Sequence, residues 1–380
     1  MGEWKEYRLG EITTEIGDGL HGTPKFSADG IYYFINGNNI FDGKIFIKDE
    51  TKKVSFNEYE LYKKPLCDRT LLLSINGTIG NVAFYRGEKC ILGKSACYLN
   101  IKDTVDKRFV YYYFLSNDFQ THLRNIATGT TIQNVPLKGL RESLILLPSL
   151  SEQKRISSIL GSLDDKIDLL HRENETLEAM AETLFRKWFI EDAKDNFEEK
   201  PLSSIAKFLN GIACQKYPPK NNLEKLPVLK IRELTNGINS DSDWATTDVS
   251  PEYIVHSGDI IFSWSASLMV KIWNGVDCIL NQHLFKVTSD NYPKWFLYLW
   301  CKYHLNEFIS IAESHATTMG HIKRSDLDNA FVLIPEQNDL CYMSNIMGPI
   351  FNRFDNNNKE IFSLVKMRDL LLHKLISSNH

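Results

Sequence analysis

SEQKRISSILGSLDDKIDLLHRENETLEAMAETLFRKWF, residues 151–189, decides how the rest of the chain is read. Pro148 ends the preceding strand, and Ser151 followed by Glu152 predicts a helix start. Along the stretch Ile156, Leu160, Leu163, Ile167, Leu170, Asn174, Leu177, Ala181, Leu184 and Trp188 recur at alternating steps of four and three. That spacing is a heptad seam with one polar member, Asn174, and a seam so narrow needs a partner helix. At ~1.5 Å per residue, Ile156 to Trp188 predicts a rod of roughly 48 Å.

The partner lies in the same chain. Shifted by 187 positions, the template lands on Met343, Met347, Ile350, Phe354, Asn357, Ile361, Leu364, Arg368, Leu371 and Leu375, eight of them apolar. A second, weaker rod is therefore predicted.

The globular segments repeat as well. WKEYRLGEI (4–12) answers FEEKPLSSI (197–205), and YFINGNNI (33–40) answers PVLKIRELT (227–235). LLLSINGTIGNVAFY (71–85) answers IIFSWSASLMVKIWN (260–274), and CILGKSA (90–96) answers CILNQHL (278–284). RFVYYYFL (108–115) answers KWFLYLWC (294–301), GTTIQNV (129–135) answers ATTMGHI (316–322), and ILLPSLSEQ (145–153) answers VLIPEQ (332–337). Seven matches in one order, at nearly constant offset, indicate an internal duplication. The predicted fold is α+β: two similar globular domains, 1–150 and 193–335, separated by two long helices, 151–192 and 336–380. The acidic stretch EDAKDNFEEK (191–200) is taken as the boundary before the second domain.

A duplicated domain followed each time by a rod implies an internal pseudo-two-fold and hence an antiparallel coiled coil. In that register Ile156 meets Leu375, Asn174 meets Asn357 and Trp188 meets Met343, each pair summing to 531. Two buried asparagines that meet satisfy each other and penalise slipped registers. The same register sets Leu163 beside Arg368, within reach of Asp164 or Asp165. The expected seam comprises Leu160, Leu163, Ile167, Leu170, Asn174, Leu177, Leu184, Ile350, Phe354, Asn357, Ile361, Leu364 and Leu371.

Composition bounds the function. The net charge is −4, and 43% of residues are hydrophobic, ordinary for a globular protein. Residues 1–150 carry 19 Lys+Arg against 17 Asp+Glu, residues 151–200 carry 8 against 13, and residues 201–335 carry 12 against 13. A chain gripping duplex DNA alone is normally more basic, so any phosphate grip is expected to be shared with partners. No secretory signal or apolar run of membrane length is read, and the seven cysteines form no C-x-x-C pair. Reduced thiols and a cytoplasmic location are expected. His283, His315 and His321 lie downstream of Cys278 without paired ligand spacing, so no metal is assigned.

No catalytic motif stands out. The one Pro-Pro, at Tyr217-Pro218-Pro219-Lys220, lacks the leading carboxamide and closing aromatic of an adenine methyltransferase turn. Gly17-x-Gly19 and Gly77-x-x-Gly80 are not followed by the acid that a cofactor ribose requires. Walker, G-x-S-x-G and H-E-x-x-H patterns are missing. The polar turns instead hold side chains suited to base edges, with Arg and Lys pairing with guanine and Asn and Gln with adenine. The first domain offers Lys25, Asn36, Asn38, Asn39, Asn76, Thr78, Lys94, Ser95, Thr130, Thr131, Gln133 and Asn134. The second offers Lys230, Arg232, Ser263, Trp264, Ser265, Gln282, His283, Thr317, Thr318, His321, Lys323 and Arg324. Trp264 is equally suited to packing on its own strand, and isolated polar turns are commonly only solvated. The scaffold repeats while the polar content diverges, as two readers of different sequences require.

IGDGLHGTPKF (16–26), INGNNI (35–40), LLSINGTIGNVA (72–83), TGTTIQNVPLKGL (128–140) and LPSLSEQKRISSIL (147–160) carry a family resemblance. Over its whole length the chain resembles the specificity subunit of Type I restriction-modification systems. In the second half MGHIKRSDL (319–327) and IPEQNDL (334–340) are degenerate copies, and SWSASLMVKI (263–272) lacks the Gly-Thr-Ile-Gly turn. The resemblance implies two target-recognition domains, each reading half of a split asymmetric site in double-stranded DNA. It implies no catalysis and no cofactor on this chain, S-adenosylmethionine being held by two partner methyltransferase subunits, with restriction-translocase subunits joining for cleavage. A rod of roughly 48 Å matches about 14 base pairs, enough to reach successive major-groove faces. A protein-only coiled-coil scaffold and a stand-alone adenine methyltransferase are the competing readings.

Overall fold

The computed structural model describes residues 4–129, 132–314 and 320–377. The chain forms two compact units, Met1–Lys166 with Leu364–His380, and Ile167–Ser363. Both cuts fall inside the long helices, Leu150–Arg186 and Gln337–Leu375, rather than at their ends. The reason is packing: each unit keeps the helix segments that cover its own sheet.

Unit 1 is built on an antiparallel sheet ordered Thr13–Asp18, Ala96–Ile101, Thr70–Ser74, Val82–Phe84. Side chains alternate faces along a strand. Leu71, Leu73, Cys97 and Leu99 therefore meet Phe109, Val110, Tyr112 and Phe114 of helix Lys107–Leu115. Leu72, Ala96 and Tyr98 meet Ile35, Ile40 and Leu92 on the other face. Covering both faces explains why Thr70–Ser74 and Ala96–Ile101 are buried throughout. The second layer is a small sheet, Lys53–Val54, Tyr32–Ile35, Cys90–Leu92, with the last pair parallel. Strand Lys5–Arg8 pairs with Leu144–Leu147, bringing the start of the domain beside the entry to the rod.

Unit 2 repeats the order of the main sheet and the parallel pair of the second layer, which here gains a fourth strand, Ile254–Val255, beside Cys278–Leu280. Its main sheet is ordered Lys207–Asn210, Leu284–Thr288, Ile260–Ser263, Met269–Ile272. A parallel pair, Lys225–Leu229 with Cys278–Leu280, forms its second layer, and Glu198–Pro201 pairs with Phe331–Ile334. Glu198–Pro201 lies partly within the acidic stretch 191–200.

The first rod begins at Leu150, not Ser151. The cap is Ser149, whose Oγ accepts from Glu152 N at 3.3 Å while its carbonyl accepts from Gln153 N at 2.9 Å. All twenty seam-template positions are buried or half-buried. Within the two helices the exposed large apolar side chains (Leu150, Leu169, Met180, Tyr342, Met367 and Leu370) lie off the template. In each unit the helix segments run antiparallel. In unit 1 Ile156 and Leu160 share a core with Leu371 and Leu375. There Arg368 Nη1 donates to Asp164 Oδ1 at 3.1 Å, whereas Asp165 binds Arg108 at 2.7 Å. In unit 2 Leu177 and Ala181 line one small gap with Ile350 and Phe354, and Arg353 Nε donates to Glu173 at 2.6 Å.

The polar centre of the seam is a network. Asn357 Nδ2 donates to Asn174 Oδ1 at 2.9 Å, and Asn174 Nδ2 donates to Asn358 Oδ1 at 2.8 Å. The cysteines are free thiols, with Cys67 and Cys341 exposed and the other five buried. Burial pushes the Cys90, Cys278 and Cys301 thiols up to about 12, which keeps them protonated and unreactive. Among the described residues no helix is long and apolar enough to cross a membrane.

Candidate nucleic-acid interface

The parallel strand pair and the adjacent antiparallel strands of unit 1 end side by side, so their loops converge. Leu20 N donates to Leu92 O at 2.7 Å, Gly93 N to Ile35 O at 2.8 Å and Ile75 N to Ser95 O at 3.0 Å. Val135 N donates to Ile75 O at 2.8 Å and Gly77 N to Gln133 O at 3.1 Å. Five segments, around residues 20, 37, 77, 94 and 133, are thereby tied into one surface. The approach is close enough to demand glycine at position 19, where a Cβ would lie 2.1 Å from Leu92 O.

Four candidates of unit 1 are exposed on this surface: Asn38, Thr78, Lys94 and Gln133. Four more form its floor, with their polar groups bonded to one another. Asn76 Nδ2 donates to Asn134 Oδ1 at 3.2 Å, and Ser95 Oγ donates to Asn36 Oδ1 at 3.1 Å while accepting from Gly37 N at 2.9 Å. Asn39 is not a reader: it is 5% exposed, and its Nδ2 donates to Phe46 O at 2.9 Å to hold the following turn. Lys25 is exposed, but its main chain is tied to Glu58 by a 2.8 Å bond and no described contact joins it to the cluster. Thr130 and Thr131 lie outside the described residues. Ile132, 64% exposed beside Gln133, was not anticipated; an apolar tip suits the thymine methyl. Its signal was only its place inside the polar run TGTTIQN.

Unit 2 makes the same surface with the same main-chain bonds. Ile212 N donates to Leu280 O at 3.0 Å, Ile322 N to Trp264 O at 3.1 Å and Ala266 N to Gly320 O at 2.9 Å. Gly211 repeats Gly19, its added Cβ falling 2.3 Å from Asn281 O. Gly77, at φ +74, is matched by Ala266 at φ +57. Alanine in that left-handed region costs about 1–2 kcal/mol, so the turn is imposed by its surroundings.

The side chains differ. Trp264 stacks on Phe285 at 5.7 Å with its ring planes 28° apart, and its Nε1 donates to Asn210 Oδ1 at 3.1 Å. His321 meets it edge-on at 6.4 Å, and His283 lies 6.0 Å away. Ser265 Oγ is 3.2 Å from His283 Nδ1, and Gln282 Nε2 is 3.3 Å from His283 Nε2. Asn210 is a supporting residue that the sequence reading missed, since it lies a strand away from every polar turn singled out.

One expectation in unit 2 is corrected, and two candidate cations have partners on their own loop. Ser263 is fully buried, its Oγ donating to Ser265 O at 3.3 Å, so it reads nothing. Lys230 is paired with Asp243, whose carboxyl is held below its ordinary range by that hydrogen bond and charge. Arg232 donates to buried Glu233 at 2.7 and 2.9 Å and to Asp241 O at 2.7 Å. Both cations are thus held on their own loop, while the Arg232 side chain stays 51% exposed. Lys323 and Arg324 are exposed at the start of helix Arg324–Asn329, while Thr317 and Thr318 lie outside the described residues.

Two surfaces with one backbone plan and two sets of tips define a duplicated recognition module. The family model described as Type I restriction modification DNA specificity domain matches residues 1–179 and 194–364, and the chain belongs to that family. Among curated relatives, the Type I restriction enzyme MjaIX specificity subunit of Methanocaldococcus jannaschii is 28% identical over 336 residues, 81% of this chain and 76% of that protein. The MjaVIII specificity subunit of the same organism is 22% identical, covering 99% of this chain and 92% of that one. The solved S subunit of a Type-I restriction-modification system from M. genitalium shares the fold with a TM-score of 0.58 at 18% identity, covering 99% of this chain and 96% of that chain.

Proposed function

We propose that this chain reads a split, asymmetric site in double-stranded DNA, one half through each loop cluster, and that it is itself non-catalytic. The observation that carries this reading is the pairing of identical main-chain bonds with divergent tips: Asn38, Thr78, Lys94 and Gln133 in one unit, Trp264, Gln282, His283 and His321 in the other. A scaffold that bound only proteins would have no use for two differently tipped copies of one surface. Methyltransferase subunits supply S-adenosylmethionine and share the phosphate contacts with this near-neutral chain, restriction-translocase subunits join for cleavage, and the complex works in the cytoplasm. The test is methylome sequencing of a host expressing this chain with its methyltransferase partner, before and after residues 1–150 are exchanged for those of another family member. The expected result is a bipartite motif changed in one half only. Change in both halves, or in neither, rejects the proposal.

A further inference from the structure

The turn Asn281–His283 is clamped by its main chain. Gln282 N donates to Ile212 O at 2.9 Å, His283 N to Asn281 Oδ1 at 3.3 Å and Trp264 N to His283 O at 3.5 Å. What stays adjustable is the Gln282 amide and the His283 ring, and these two are bonded to each other. Their bonds are chemically coupled. Gln282 Nε2 only donates, so the His283 Nε2 that it meets at 3.3 Å must accept. The ring proton then sits on Nδ1, facing Ser265 Oγ at 3.2 Å. An imidazolium donates from both nitrogens. A proton taken from solvent onto Nε2 therefore sets N–H against N–H, and the amide must turn over to offer Oε1. Its remaining polar group changes at the same moment from acceptor to donor.

We infer that the proton on His283 sets the orientation of the Gln282 amide, and with it the base preferred at one position of one half-site. This rests on the reading that the unit 2 cluster touches bases. Glutamine recognises adenine by donating and accepting together, so swapping its free group alters which base edge it fits. The groups around His283 are Asn281 and Gln282 on its own turn, Ser265 and Trp264 on the hairpin, and His321 across Trp264, with Lys323 and Arg324 following it. Among the described residues no carboxylate is bonded to it, so the exchange runs between ring and amide. Unit 1 is an internal control: Lys94 and Ser95 stand at the matching positions, and Ser95 Oγ is locked between Asn36 and Gly37.

The test uses the complex of the full chain with its methyltransferase subunits. A DNA library randomised in both half-sites is methylated at about pH 6 and at about pH 8, the range in which imidazoles change charge. Sequencing should show a base preference in the unit 2 half-site shifting about tenfold or more between the two, with the unit 1 half-site constant. His283→Gln should remove the shift and His321→Gln should keep it. In the free chain, the Gln282 side-chain amide resonance should move with the His283 ring titration. An amide that does not respond, or a shift that survives His283→Gln, overturns the inference. So does an amide that responds while the preference stays fixed. Separately, if Gln282→Ala leaves the motif unchanged at about pH 8, it is the assignment of this loop to base reading that fails.

Discussion

Replacing Asn174 by leucine should reveal how the polar centre of the coil is wired. Asn174 Oδ1 accepts from Asn357 Nδ2, and its Nδ2 donates to Asn358 Oδ1. The Asn357 Oδ1 atom, in a fully buried residue, has no partner among the described residues. Asn174→Leu strands the Asn357 donor and leaves Asn358 Oδ1 with only the 3.5 Å bond from Asn274. A buried unsatisfied group costs about 1–3 kcal/mol, so that loss is expected here. Asn357→Leu strands Asn174 Oδ1 but also deletes the carbonyl that was already unpaired, and these offset to within about 1 kcal/mol. The double variant leaves neither orphan, so the cycle should show a coupling of about 1–3 kcal/mol in its favour. Urea unfolding followed by tryptophan fluorescence suits the measurement, because every tryptophan except Trp4 falls within Ile167–Ser363. Equal, additive single effects would refute the network as the source of register in this coil.

Three further outcomes follow from the geometry. Burial alone would raise the Glu178 carboxyl, but hydrogen bonds from Lys302 and Tyr298 outweigh it and hold the group below its ordinary 4.5. Its stabilisation is therefore complete above about pH 4.5 and lost as pH falls through the lower folded value, so acid unfolding of unit 2 should be steeper than in Glu178→Gln. Pro349 lies exposed inside helix Gln337–Leu375 and withholds a donor from the carbonyl of Asn345; Pro349→Ala should stabilise unit 2 by about 1–3 kcal/mol in the same urea assay. Gly19→Ala and Gly211→Ala drive a Cβ to 2.1 and 2.3 Å from main-chain oxygens that cannot retreat. Only the second should shift the tryptophan-detected transition, and limited proteolysis should show the first opening unit 1.

The rods and the duplication were legible because periodicity survives without tertiary knowledge. Twenty positions spaced by fours and threes identify a buried stripe even where Asn174, Asn357 and Arg368 interrupt it. The repeated sheets were legible for a related reason: strands covered on both faces, such as Thr70–Ser74 and Ile260–Ser263, must stay apolar in both copies. The recognition surface was only half legible. Composition picks out polar turns, but whether a polar side chain faces out depends on bonds made across loops distant in sequence. Asn38 and Asn39 are neighbours of one type, yet one is exposed and the other is spent on Phe46 O. Lys230 and Arg232 are paired with Asp243 and Glu233, partners that composition alone does not place beside them. The helix start differs by one residue because Ser149 and Ser151 are both cap-forming, and only the bond to Glu152 N distinguishes them.

The central claim is that the two clusters read separate halves of one site. It is tested most directly by two variants of the full chain, each expressed with the methyltransferase partner and mapped by methylome sequencing. Lys94→Ala/Gln133→Ala removes exposed tips from the unit 1 cluster, and Gln282→Ala removes a half-buried one from unit 2. A lost bidentate base contact relaxes its position by about 1–3 kcal/mol, or roughly five- to 150-fold. The account predicts that the first variant relaxes one half of a bipartite motif and the second relaxes the other half. Two variants that relax the same half, or that weaken methylation uniformly at every site, would contradict it.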